Sequence, residues 1–63
     1  MIGGSSGRLV CVVTGNRNFV AGGIPVFVHD DEQERQRLAL YIAKITQGMV
    51  HDLEGGTYIV ARH

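Results

Sequence analysis

Sixty-three residues suffice for one domain, and a domain of that size buries a smaller share of its surface than a larger one, so marginal stability and help from outside the monomer are expected. An apolar fraction of 44% and a charged fraction of 19% exclude the disordered and collagen-like classes. Six basic and six acidic residues cancel, which removes the global attraction that binders of nucleic acid or acidic membranes carry.

Cys11 is the one cysteine. It cannot close an intramolecular disulfide, so a reducing, cytoplasmic setting is expected. No apolar run approaches the roughly 20 residues of a membrane-spanning helix, and the N-terminus lacks a secretory pattern. Residues 1–7 (MIGGSSG) read as a flexible tail, which leaves residues 8–63 as a single folded domain.

Residues 8–14 (RLVCVVT) are β-branched and bounded by glycines, a strand signal. Strict alternation places Leu9, Cys11 and Val13 on one face and Val10, Val12 and Thr14 on the other. Both faces are largely apolar, so both expect cover. Residues 15–18 (GNRN) tolerate a turn, and a hairpin is the simplest outcome. Residues 19–29 then form the returning strand, interrupted at Gly22-Gly23, with Pro25 either keeping it to an edge or standing at its start.

Residues 30–48 (DDEQERQRLALYIAKITQG) have the grammar of a helix. Asp30 or Asp31 is the N-cap, Glu32 and Glu34 favour the positive end of the macrodipole, and Asp31–Arg35 and Glu34–Arg37 can pair on the surface. Leu38, Tyr41, Ile42, Ile45 and Met49 follow the spacing of a buried face, broadened by Ala39, Leu40 and Ala43. The polar first half, residues 31–37, has no apolar residue with which to pack and is expected to project into water. Gly48 fits a left-handed C′ position.

Residues 49–53 form a short strand, Glu54-Gly55-Gly56 a tight turn, and residues 57–62 (TYIVAR) the closing strand. Ile59 and Ala61 share one face of it, and Tyr58, Val60 and Arg62 the other. The fold class is therefore α+β, a small ββαββ domain with one helix packed on one face of a four-stranded sheet. The other face or an edge is left for oligomerisation.

One helix covers one face, so Val10, Val12, Tyr58 and Val60 are the expected interface of a homo-oligomer, a two-fold dimer above all. The tripeptide Val-His-Asp occurs at residues 28–30 and 50–52. His29, Asp30, His51 and Asp52 are thus candidate ligands of a metal or hydrolase site, formed between subunits because the two pairs lie apart in one chain. Cys11 sits among valines with nothing to lower its pKa and reads as a small buried hydrophobe, not a nucleophile. The loop at residues 14–18 lacks the remainder of any phosphate-binding motif, and no cofactor is implied.

Arginines brought together by symmetry, Arg8, Arg17 and Arg62, with Arg35, Arg37 and Lys44 on the helix, define a nucleic-acid alternative. Against it stand zero net charge and few aromatics for stacking. A chain this short has little volume for an enzyme pocket. The leading expectation is a non-enzymatic regulatory or assembly module that acts as a homo-oligomer and binds another protein through Glu34, Arg35 and Arg37.

Overall fold

The computed structural model describes residues 7–63. The tail expected at residues 1–7 therefore lies, apart from Gly7, outside the described residues. The elements run β1 (Arg8–Thr14), β2 (Val26–Val28), α1 (Glu32–Thr46), β3 (Met49–Asp52) and β4 (Thr57–Arg62). They form one four-stranded mixed sheet in the order β2-β1-β4-β3 with a single helix. Among the described residues no helix is long and apolar enough to cross a membrane.

The second expected hairpin is present. β3 and β4 pair antiparallel, with Val50 opposite Val60 and Asp52 opposite Tyr58. Glu54, Gly55 and Gly56 take positive φ between them, and Asp52 Oδ1 accepts from the Glu54 amide at 2.6 Å. The first expected hairpin is absent, because β1 and β2 pair in parallel. The turn at residues 15–18 forms, with the Asn18 amide donating to Asn16 Oδ1 at 2.9 Å. Residues 19–21, however, are not strand, and Gly22-Gly23 make a second turn in which Gly23 has φ +76°. Two reversals bring the chain back in its original direction.

β2 and β3 lie at opposite edges and, through β1 and β4, run the same way. The helix joining them must cross the two central strands, and this lays it over one face. Its N-cap is Asp31, whose carboxylate accepts from the Glu34 amide at 2.9 Å. Gln47, not Gly48, takes the left-handed position at its end, with φ 59°. Gly48 serves a different need. A Cβ there would lie 2.8 Å from the Ala61 carbonyl oxygen, so only glycine lets the helix end this close to β4.

The core between helix and sheet holds Cys11, Val13, Ala39, Ala43, Tyr58 and Val60, with Val10, Leu38, Ile42 and Val50 packed against it. Full burial of a valine such as Val13 or Val60 contributes roughly 1.5–3 kcal/mol. The helix turns Arg35, Ala39 and Ala43 inward, while Leu40, Tyr41 and Ile45 are exposed. The apolar stripe expected from Leu38 to Met49 is therefore rotated: Leu38 and Ile42 flank the contact, and Tyr41, Ile45 and Met49 face out.

The expected oligomer interface is redistributed. Tyr58 and Val60 lie in the core beneath the helix, Val10 packs against that core, and Val12 is buried on the opposite face. Tyr58 and Val60 are on the helix side because they pair with Val13 and Cys11 of the core, and the place of Val10 follows from a bulge in β1, where pairing shifts from Leu9↔Ala61 to Cys11↔Val60. The extra residue reverses the alternation, so Leu9 and Cys11 point to opposite faces even though they are two residues apart.

Candidate functional site

Leu9 of β1, Met49 and His51 of β3, and Ile59 and Ala61 of β4 share the face turned away from α1, as the register pairs Leu9 and Met49 with Ala61 and His51 with Ile59. Leu9 and Met49 are more than half exposed, and Leu53, just beyond β3, is half exposed. Leu9, Leu53, Ile59 and Ala61 supply the apolar lining of a concavity of about 460 Å³, with Arg8, His51 and His63 contributing polar groups. Apolar surface gathered on one face marks an interaction site more often than singly scattered residues do.

The rings of His51 and His63 meet at the concavity, with Nε2 atoms 2.9 Å apart, ring centroids 5.1 Å apart and planes inclined by 69°. Either Nε2 can be the donor, according to the tautomer each ring adopts.

The expected partner surface is divided. Glu34 and Arg37 are exposed and paired at 3.1 Å, but Arg35 is buried. Its Nη1 donates to the carbonyls of His29 at 2.7 Å and Asp30 at 2.9 Å, and its Nη2 to Glu32 Oε1 at 2.5 Å. Arg35 thus pairs with Glu32 and not with Asp31. A Cβ at Gly15 would lie 2.6 Å from Nη1, and one at Gly56 would lie 3.0 Å from Nη2, so the ends of β1 and β4 close directly on the guanidinium. The polar first half of the helix is tethered through this side chain, and through the bonds of Glu32 and Gln36 to Tyr58, and does not simply project into water.

Glu32 extends the network. Its other oxygen accepts from the Tyr58 hydroxyl and, at 2.9 Å, from Gln36 Nε2. The Tyr58 bond, followed by those from Gln36 and Arg35, holds the Glu32 carboxyl down at about 2, and the same Tyr58–Glu32 bond raises the Tyr58 phenol. A second concavity of about 320 Å³ lies beside it, lined by Gln36, Leu40, Val50, Asp52 and Tyr58.

Within one chain the two His-Asp pairs are not brought together. His29 and Asp30 follow β2 at one edge of the sheet, and His51 and Asp52 belong to β3 at the other. His29 Nδ1 accepts from the Asp31 amide at 3.0 Å, and Asp30 pairs with Arg17 at 3.2 Å. Among the described residues no group of three or more His, Cys, Asp or Glu is placed to hold a metal. Of the candidate nucleic-acid arginines, Arg8 and Arg62 are cross-strand neighbours, while Arg17 lies past the far end of β1. Cys11 is buried, and that burial raises its thiol pKa, which is unfavourable for a nucleophile.

Sequence reasoning missed Leu9, Met49, Leu53, Ile59 and His63 as a group. Cross-strand register and the bulge create this surface, and neither is written in local pattern. Comparison with known proteins adds a functional context. The family model described as the capping complex subunit for YIEGIA matches residues 6–63. The uncharacterized protein YpzH of Bacillus subtilis (strain 168) is 36% identical over 55 residues, covering 87% of this chain and 86% of that protein. No solved structure matches the chain.

Proposed function

We propose, from the premise that this chain belongs to the family of capping complex subunits for YIEGIA, that it is a structural subunit which docks on YIEGIA through the sheet face opposite its helix. A small module of a complex-forming family acts through protein partners. The observation that carries the choice of face is the apolar concavity at Leu9, Leu53, Ile59 and Ala61, with Leu9, Met49 and Leu53 standing exposed around it. A protein interface typically has an apolar centre inside a polar rim, and Arg8, His51 and His63 are suited to that rim. Occupying YIEGIA is also how the subunit would regulate it, with no chemistry of its own.

The test is co-purification with YIEGIA of the tagged chain and of a Leu9→Asp/Leu53→Asp variant, with Ile45→Asp on the outer helix face as control. Loss of co-purification in the double variant alone, with unchanged circular dichroism, is the expected result. Retention by the double variant and loss in the control would place the docking surface on the helix instead. Sheet-to-sheet pairing of two copies is the competing occupant of this face. It is read by sedimentation of the purified chain, and a dimer dissociated by the double variant but indifferent to YIEGIA would favour it.

A further inference from the structure

We infer that His51 and His63 form a two-imidazole chelate for a divalent late transition metal ion, with Zn²⁺ as the reference ion. The His-Asp candidates suggested by sequence are not this site, because Asp52 lies on the helix side of β3 and its Oδ1 accepts from the Glu54 amide. The two rings instead present Nε2 to Nε2 at 2.9 Å, with centroids 5.1 Å apart. Two imidazoles bound to one tetrahedral ion, at a metal–nitrogen distance of about 2.0 Å, hold their nitrogens about 3.3 Å apart. The centroid spacing already suits such a pair, and the nitrogens part by about 0.4 Å when each ring tilts by some tens of degrees to turn its lone pair from the other ring toward a shared ion.

Both rings are exposed, so an ion reaches them without opening the core. Imidazole suits zinc, copper and nickel ions, and two chelating nitrogens leave further coordination positions for water or for a donor from a protein seated on the same face. Arg8 also lines the concavity and opposes a cation by charge. Attraction therefore has to come from the coordinate bonds, which restricts the site to ions that form strong bonds to nitrogen. Magnesium and calcium, which prefer oxygen ligands, are excluded on the same ground.

The inference stands independently of docking on YIEGIA, because the ion is measured on the purified chain alone. Isothermal titration with Zn²⁺ at pH 7.5 is expected to show binding that weakens by at least about tenfold in His51→Gln and in His63→Gln. His29→Gln, at the opposite edge of the sheet, is expected to leave it unchanged. Nitrogen-15 imidazole spectra of the wild-type chain give a readout that does not depend on the variants folding: Zn²⁺ should move Nε2 of His51 and His63 together and leave His29 in place. No binding by the wild-type chain, binding retained by both single variants, or a shift confined to His29 would overturn the assignment.

Discussion

Gln47 and Gly48 have exchanged the roles that their residue types suggest. The left-handed residue is a glutamine with φ 59°, and the glycine beside it is needed because the Ala61 carbonyl leaves no room for a Cβ. The Gly48 amide donates to the Ala43 carbonyl at 2.7 Å and the Gln47 amide to that of Lys44 at 3.4 Å, which closes the helix in a Schellman arrangement. Gln47→Gly is expected to stabilise the fold by about 0.5–1 kcal/mol through relief of the left-handed strain. Gly48→Ala is expected to destabilise it by about 1–3 kcal/mol because backbone must shift. Urea denaturation midpoints of the two variants should move in opposite directions. At Glu32 the folded pKa of about 2 lies below the ordinary value of 4.5, so its stabilising contribution is present above pH 4.5 and is lost as pH falls toward 2. Glu32→Gln should flatten the acid limb of the stability curve across that window. Tyr58→Phe should move the Glu32 carboxyl titration, followed by NMR, back toward 4.5.

At the scale of elements, Arg35 joins the helix to its surroundings. Its guanidinium holds the carbonyls that precede α1 and sits where Gly15 and Gly56 bring in the ends of β1 and β4. Its buried Nε has no hydrogen-bond partner among the described residues, a cost that the other bonds offset. Arg35→Met, similar in length but unable to donate, is expected to cost about 1–3 kcal/mol. It should also accelerate amide exchange in the first helical turn before the rest of the chain. How much of this was legible in the sequence follows range. The Asp31 cap, the Glu34–Arg37 pair and the Glu54-Gly55-Gly56 turn are local and could be read directly. The burial of Arg35 depends on carbonyls and glycines assembled from three other segments, and nothing in its helical neighbourhood announces it. The parallel β1–β2 pair is hidden because Gly22-Gly23, which makes the second turn, has the same local signature as an interruption within a strand. The bulge at Val10 carries no glycine or proline to mark it, and no local pattern tells which face of β4 the helix covers, so the expectation of Val10, Val12, Tyr58 and Val60 differs from the exposed apolar surface at Leu9, Met49 and Leu53. The sequence pairs His51 with Asp52, whereas its side-chain neighbour in space is His63.

For the whole molecule, the helix and the exposed apolar patch occupy opposite sides of one thin sheet. The interior that holds the fold and the surface proposed for docking therefore share their strands but not their side chains. Val13, Tyr58 and Val60 serve the first, and Leu9, Leu53 and Ile59 the second. That separation lets the docking face be altered without emptying the core, so Leu9→Asp/Leu53→Asp is expected to retain a cooperative thermal transition. The central pair of the sheet is β1 with β4, the first and last strands of the described chain, and Arg8 lies opposite Arg62. As the chain leaves a ribosome, β1 thus waits for nearly every later residue before its antiparallel neighbour exists. Loop closure over that span makes folding slower than in a helical chain of equal length. A chain halted at Gly56 should be unfolded and protease-sensitive, because it lacks Tyr58 and Val60 and leaves both edges of β3 unpaired. Until synthesis passes β4 the apolar strands have no shelter of their own, and in the cell a waiting partner or chaperone could engage them first.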